Sequence, residues 1–125
     1  ADRIDIAPDG SVVIYDYKSG PLPTPKQQDR FDKQLLIEAA IATAGGFGAL
    51  GPVTVTGAHY ISLKDEVKTA AAPLASQPPA LIWAELRTFL TRWQDPAMGY
   101  AARRALFSVA DRSEYDHLSR FGEWD

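Results

Sequence analysis

A short strand-favouring run that ends in charge is the feature that most constrains this chain. Residues 12–15 are Val, Val, Ile and Tyr, and Asp16, Tyr17 and Lys18 follow directly. Side chains alternate between the two faces of a strand, so Asp16 and Lys18 are predicted to share one face and Tyr17 to lie on the other. Charges at the end of a buried strand are costly unless they are paired or functional. The pair is therefore a candidate site, with a solvated charge pair as the alternative.

The flanking segments predict an α/β fold with a small mixed sheet. Residues 1–7 alternate loosely, and the turn-forming residues 8–11 join them to the run as a β-hairpin. Residues 53–63 are rich in Val, Thr, Tyr and Ile and predict a third strand. Between the second and third strands, a helix of some fifteen residues is predicted from about Asp29, because apolar residues recur at helical spacing. These are Phe31, Leu35, Ala39 and Ala42, and the helix is expected to stop at Gly45, Gly46 and Gly48.

The second half of the chain is less regular. Residues 64–80 are rich in Ala and Pro and are interpreted as a loop or lid. After Pro78 and Pro79, apolar residues at spacings of three and four predict an amphipathic helix that lies across the sheet and stops at Asp95 and Pro96. Residues 100–125 show no clean period.

Composition excludes several kinds of protein. The 125 residues fit one domain, over 1–125, and no apolar stretch reaches the roughly 18 residues that span a bilayer. A cytoplasmic protein without membrane contact is the expectation. The absence of cysteine rules out disulfides, thiolate zinc sites and an iron-sulfur cluster held by this chain. A net charge of −3 predicts weak DNA binding by the chain alone, since nucleic-acid affinity depends on basic residues.

A further acid, Asp2, lies on the preceding strand segment. Two carboxylates and an amine on paired strands suit metal-dependent cleavage of a phosphodiester. Mg²⁺ prefers anionic oxygen ligands, and an ammonium group stabilises charge on the attacking water or the phosphate. Asp5 is the rival acid on the first strand, but its position predicts that it points elsewhere than Asp2. A hydrolase acting on another phosphorylated substrate would use the same groups.

Four blocks of the sequence resemble the RecB-type nuclease domains of the PD-(D/E)XK superfamily. They are residues 1–5, 8–10 and 14–20, together with Gln34 on the predicted helix. Among these domains the sequence is most similar to the carboxy-terminal nuclease domain of the AddB subunit of bacterial AddAB helicase-nuclease complexes. The ending of that subunit also resembles residues 114–118 with Glu123 and Trp124.

The resemblance implies a role for each matching residue. Asp2 and Asp16 become the metal-binding acids, with the Tyr17 carbonyl as a further ligand, for Mg²⁺ or else Mn²⁺. Lys18 becomes the residue that positions or polarises the attacking water. The candidate catalytic set is completed by Gln34, which lies beside the site in the family. A Tyr usually follows that Gln by four positions, where this chain has Glu38. Glu38 is expected to face solvent or to form a local ion pair, with a further site acid as the alternative.

The resemblance also implies a fold and a function. The fold is a restriction-endonuclease-like core, but this chain starts almost on the Asp2 position, so the family's first helix and strand are expected to be missing. The chain is then a truncated nuclease domain with an incomplete metal site. The implied function is a Mg²⁺-dependent DNA exonuclease that works with an AddA-type helicase subunit in double-strand break repair and recombination. The alternative is an inactive nuclease-like module that docks partners or guides DNA.

Overall fold

A computed structural model describes residues 1–64 and 66–99 of the chain. The chain divides into two compact units, Ala1–Leu90 and Thr91–Asp125. The predictions for residues 100–125, including the resemblance at 114–118, fall outside the described residues. That residues 1–125 form one domain stays a prediction.

One four-stranded sheet forms the centre of the first unit. Its strands, in the order β1-β2-β3-β4, are Arg3–Ile6, Val12–Lys18, Val55–Ser62 and Thr69–Ala71. The strand pair β1 and β2 is antiparallel, β2 and β3 are parallel, and β3 and β4 are antiparallel. The predicted hairpin, the predicted third strand and the predicted small mixed sheet flanked by helices are therefore confirmed.

The hairpin turn follows from its polar residues. Gly10 has a φ of 81°, a left-handed conformation that suits glycine because a side chain would be strained there. The Asp9 carboxylate accepts a hydrogen bond from the backbone N–H of Ser11 at 2.9 Å. Hydrogen bonding from Ser11 holds the pKa of Asp9 below its usual value. The turn sets the register in which Ile4 lies opposite Ile14.

Two helices replace the single helix predicted from about Asp29. They are α1, Pro25–Arg30, and α2, Gln34–Thr43. The Thr24 side chain and Gln27 form a capping box at the start of α1. The prediction of one helix is wrong because Asp32, between the two helices, accepts a hydrogen bond from the Tyr60 hydroxyl at 2.6 Å. Phe31 consequently lies outside both helices and is 51% exposed.

The core lies between α2 and one face of the sheet. From α2 it takes Leu35, Leu36, Ala39, Ala40 and Ala42, and from the strands Ile14, Ala58 and Tyr60. A helix in this place is expected, because parallel strands such as β2 and β3 need a crossover connection. The glycine stop is confirmed. Gly45 N–H donates to the Ala42 carbonyl and Gly46 N–H to the Ile41 carbonyl, the two bonds of a Schellman motif.

Two predictions for the second half need correction. The segment 64–80, interpreted as a loop or lid, contains β4, and Ala72 just after it is buried. Thr, Ala and Ala give a weak strand pattern, so the free edge of β3 decides this pairing. The amphipathic helix exists as α3, Pro79–Trp93, but within the described residues only Ile82 of α3 is buried. Ile82 joins the core cluster, but the backbone of α3 makes no close approach to any of the described strands. The expectation that it lies across the sheet is therefore wrong. None of the described helices is long and apolar enough to cross a bilayer.

Candidate active site

The candidate site lies at the end of β2, where its buried face changes from apolar to charged. Val12, Ile14 and Asp16 are all buried on the same face, and Asp16 is only 5% exposed. The neighbouring residue of β3 is Tyr60, which is fully buried. A carboxylate in this position needs compensating partners, because desolvation disfavours an unpaired charge.

Lys18 provides the compensating charge. Its Nζ lies 2.9 Å from Asp16 Oδ2, as the two-residue strand period predicts. The contact is an ion pair without hydrogen-bond alignment, since Asp16 Oδ2 accepts no hydrogen bond from the described residues. The same ammonium lies 5.2 Å from the centre of the Tyr60 ring, within cation–π range. Lys18 is thus held between a carboxylate and an aromatic face while 30% of its side chain stays exposed.

Gln34, the first residue of α2, links these two groups. Its Oε1 accepts a hydrogen bond from Lys18 Nζ at 2.9 Å. Its Nε2 donates to Asp16 Oδ1 at 2.7 Å. The structure therefore brings together Asp16, Lys18 and Gln34, three of the four residues in the candidate catalytic set.

Asp2 lies at the open end of β1, close to the end of β2. Its backbone N–H donates to the Tyr15 carbonyl at 3.1 Å, and its Oδ2 accepts from the Tyr17 N–H at 2.8 Å. One step beyond the Arg3 and Tyr15 pair, the register places Asp2 opposite Asp16. Backbone groups alternate in direction along a strand, so the Tyr17 carbonyl points to the β1 side, as the Tyr15 carbonyl does. Asp2 is exposed and joins the site through the backbone of Tyr17.

Asp5, the rival acid, lies on the opposite face of the sheet. It pairs in register with Val13, whose side chain lies on the face away from Asp16. Its Oδ1 accepts a hydrogen bond from Arg3 Nε at 2.6 Å. That hydrogen bond raises the pKa of Arg3 above its usual value. The preference for Asp2 over Asp5 therefore agrees with the geometry.

A comparison with family models identifies the fold that carries this arrangement. The model of the PD-(D/E)XK nuclease superfamily matches residues 1–117. The chain belongs to the PD-(D/E)XK nuclease superfamily. No curated protein and no solved structure matches the chain significantly. Membership agrees with the restriction-endonuclease-like α/β core and indicates nuclease activity, and PD-(D/E)XK nucleases generally use divalent metals such as Mg²⁺.

Glu38 does not face solvent in this PD-(D/E)XK chain. Its side chain is 14% exposed, and its Oε1 accepts hydrogen bonds from Gln34 Nε2 and from the Ala1 amino group, each at 3.1 Å. This ion pair with Ala1 is not the local pair that was expected, since the two residues are 37 positions apart. The prediction of a solvent-facing Glu38 is wrong because one helical turn brings it over Gln34. The spacing from Gln34 to Glu38 was the signal in the sequence.

Tyr60 is the site residue that sequence reasoning missed. Its hydroxyl donates to Asp32 and accepts from the Leu35 N–H at 3.5 Å. Burial, and then the hydrogen bond to Asp32, raises the pKa of Tyr60 well above its usual value. Its place in the β-rich run at 53–63 marked it as a strand residue, but only the parallel register with β2 shows that it lies beside Asp16.

The described residues fit a hard divalent cation in part. No three His, Cys, Asp or Glu side chains cluster as a metal site among residues 1–64 and 66–99. Mg²⁺ sites in proteins often use only one or two carboxylates and keep several waters, however. Asp16 Oδ2 and Glu38 Oε2 are buried oxygens without a hydrogen-bond partner in the described part of the chain, as expected of atoms that serve a cation. The donor chemistry therefore suits Mg²⁺ or Mn²⁺.

Proposed function

We propose that this domain is a Mg²⁺-dependent DNA exonuclease that acts within a helicase-nuclease assembly in double-strand break repair and recombination. The observation that carries the proposal is the contact of Asp16, Lys18 and Gln34 at the end of β2. A buried carboxylate beside a partly exposed ammonium, in a PD-(D/E)XK chain, supports phosphodiester hydrolysis, because the carboxylate can hold a cation and the ammonium can stabilise developing negative charge.

Each group has a distinct role in the proposed reaction. The carboxylates of Asp16 and Asp2 and the carbonyl of Tyr17 would hold the cation. A cation bound there supplies Lewis-acid activation and charge neutralisation at the phosphate. The Lys18 ammonium positions the attacking water and offsets developing negative charge. Gln34 keeps Lys18 and Asp16 in place through hydrogen bonds to both.

A groove next to the site supports a nucleic-acid substrate. It has a volume of ≈ 500 Å³, and Ser62, Lys64 and Lys68 are among the residues that line it. Ser62 is the register partner of Lys18, so the groove adjoins the end of β2. The Nζ of Lys68 lies 2.9 Å from Glu66 Oε2, so these two lining charges form an ion pair. Lys64 forms no ion pair with the described lining residues. A single phosphate beside the site would meet this positive charge.

A nuclease assay tests the catalytic assignment. The full natural polypeptide is incubated with end-labelled linear DNA and Mg²⁺, and wild type is compared with Asp16→Ala and Lys18→Ala. Each substitution is expected to lower the cleavage rate by about a hundredfold or more, since it removes a charge that acts on the reacting phosphate. Lys26→Ala changes an exposed lysine of α1 and is the matched control. Cleavage that survives both site substitutions at the wild-type rate would contradict the assignment.

Linear and covalently closed circular DNA of the same sequence separate exonuclease from endonuclease action. The proposal expects release of nucleotides or short oligonucleotides from linear DNA only, and equal cutting of the circle would overturn it.

That the domain works with an AddA-type helicase subunit is likewise a proposal, and the sequence resemblance supports it. With that helicase subunit and ATP, degradation is expected to become processive. Degradation that is indifferent to the partner and to ATP would argue against the assembly.

A catalytically silent nuclease-like module is the second candidate. The absence of a three-acid cluster among the described residues favours it. Under this alternative the full natural polypeptide binds DNA but cleaves no substrate with Mg²⁺ or Mn²⁺, and Asp16→Ala leaves DNA binding unchanged.

A further inference from the structure

Within the described part of the chain, the Gln34 side chain makes three hydrogen bonds, and its oxygen and its nitrogen contact groups of opposite charge. Its carbonyl oxygen accepts from Lys18 Nζ at 2.9 Å. Its amide nitrogen donates to Asp16 Oδ1 at 2.7 Å and to Glu38 Oε1 at 3.1 Å. The oxygen therefore meets one cation, and the nitrogen meets two carboxylates.

This division fixes which way the amide points. An amide nitrogen only donates and an amide oxygen only accepts. Turned by half a rotation, the amide would place its oxygen against both carboxylates and its nitrogen against the ammonium of Lys18. All three contacts would then be repulsive. Glu38 adds the second carboxylate on the nitrogen side, so the choice of orientation no longer depends on Asp16 alone.

Glu38 is well placed for this task. It follows Gln34 by one helical turn on α2, a spacing at which side chains on a helix meet. Its side chain is 14% exposed, whereas Gln34 is exposed, so the contact joins a largely buried carboxylate to an amide at the protein surface. Charge-assisted hydrogen bonds of this kind are stronger than neutral ones.

We propose that Glu38 is a positioning residue, which fixes the amide orientation of Gln34 and, through it, the places of Lys18 and Asp16. The effect on catalysis rests on the proposed nuclease function, whereas the effect on Gln34 does not. In this role Glu38 acts through its Oε1, which contacts the Gln34 amide, and a separate role of its Oε2 as a cation ligand is the alternative that the Mn²⁺ titration below tests. The same Oε1 also accepts a hydrogen bond from the Ala1 amino group at 3.1 Å, but its effect on the site is proposed to pass through Gln34.

Two substitutions separate this role from a general structural one. Glu38→Gln keeps an acceptor oxygen that can face the Gln34 nitrogen, whereas Glu38→Leu has a similar volume and no acceptor. Glu38→Leu is expected to lower kcat about tenfold with little change in KM, because loss of a hydrogen bond to a charged partner has this size. Glu38→Gln should restore most of that loss. Equal losses in the two variants would overturn the proposal.

A second cycle tests whether Glu38 acts through Gln34. In a Gln34→Ala background, Glu38→Leu is expected to have no further effect on kcat, since the amide that it orients is gone. If Glu38→Leu lowers kcat in the Gln34→Ala background by the same factor as in wild type, Glu38 acts independently of Gln34 and the proposal is overturned. Mn²⁺ titration of wild type, Glu38→Gln and Glu38→Leu measures whether Glu38 is itself a ligand of the cation. Similar Mn²⁺ affinities are expected, and a matching loss of affinity in both variants would make Glu38 a metal ligand instead.

A spectroscopic measurement decides the question even if the protein cleaves nothing. In ¹⁵N-labelled protein, the side-chain amide signals of Gln34 are identified by their loss in Gln34→Ala. Wild type and Glu38→Gln are expected to show these protons protected from exchange with water, and Glu38→Leu to show them exchanging faster. Unchanged protection in Glu38→Leu would overturn the positioning role. Absence of cleavage by the wild type, with the protection pattern as expected, would overturn only the proposed function.

Discussion

At the scale of single residues, one buried carboxylate organises the site. Asp16 is 5% exposed, and its two oxygens face Lys18 and Gln34. Lys18 lies two residues along the same strand, whereas Gln34 comes from a helix eighteen positions later. The site therefore depends on the packing of α2 against β2.

Removing the positive charge beside Asp16 is expected to destabilise the fold. Lys18→Met keeps the aliphatic stem and leaves the carboxylate buried without its cation, a loss of about 1 to 3 kcal/mol in the free energy of unfolding. Urea denaturation measures the difference. Lys26→Met, in an exposed position, should stay within about 0.5 kcal/mol of wild type. If the two variants are equally stable, Asp16 does not depend on Lys18 for its burial.

The hydroxyl of Tyr60 is expected to produce a pH dependence of stability. Folding raises the pKa of Tyr60, so the folded state holds the phenol proton more tightly than the unfolded state. The resulting stability is fully present below the ordinary tyrosine value of 10.0 and is lost as the pH rises above it. Tyr60→Phe removes this titration and keeps the ring beneath Lys18.

Unfolding free energies of wild type and Tyr60→Phe between about pH 8 and pH 11 test the point, because the titration begins near the unperturbed tyrosine pKa. The advantage of wild type over Tyr60→Phe should shrink above about pH 10. A constant difference across that range would mean that Tyr60 ionises alike in both states.

At the scale of elements, helix α2 has to stop in one place for the site to form. Its Schellman motif uses Gly45, whose φ is 82°, and a Cβ there would lie 3.1 Å from Pro52 Cγ. After this motif the chain continues to β3. The N-terminal half of the same helix contains Gln34 and Glu38. The end of α2 and the site are thus parts of one element.

Gly45→Ala is expected to cost about 1 to 2 kcal/mol of stability, because L side chains are strained in the left-handed region. Gly48→Ala is the matched control in the same loop. Gly48 has no positive φ, and a Cβ there meets nothing within 4 Å. Thermal unfolding of the two variants measures the contrast. Equal melting temperatures would show that the turn relaxes at no cost.

At the scale of the whole molecule, net charge governs the affinity of the chain for DNA and the salt dependence of that affinity. Its net charge is −3, and the lysines near the site are partly balanced by acids such as Glu66. A protein that makes six to ten phosphate contacts loses roughly a thousandfold or more in affinity between 50 and 200 mM salt. The net negative charge of this chain predicts far fewer such contacts.

The chain alone is therefore expected to bind DNA weakly, with a Kd near the roughly 10⁻⁴ to 10⁻⁶ M of non-specific binders, and to lose about tenfold or less over that salt range. Fluorescence anisotropy with a labelled duplex, in Ca²⁺ to prevent cleavage, measures both quantities. Nanomolar affinity with a steep salt dependence would show that the chain forms a basic surface that its net charge hides.

Much of the fold follows from local sequence. Residues 12–18 alternate as a strand, Asp9 and Gly10 form the turn before it, and paired glycines end α2, because each of these signals acts over a few neighbouring residues. The same period of two placed Asp16 and Lys18 on one face, and the family resemblance pointed to Gln34. The break between α1 and α2, and strand β4, were not predictable in this way, since both depend on partners from β3.

The sequence by itself determined which groups the site has and which strand presents them, because strand alternation is a local steric property. Only the tertiary structure decided that Tyr60 lies beneath Lys18 and that Glu38 turns inward to Gln34. Those contacts depend on the parallel register of β2 with β3 and on the packing of α2 over both strands. Such long-range placement is set by the burial of the whole core, and no short window of sequence contains it.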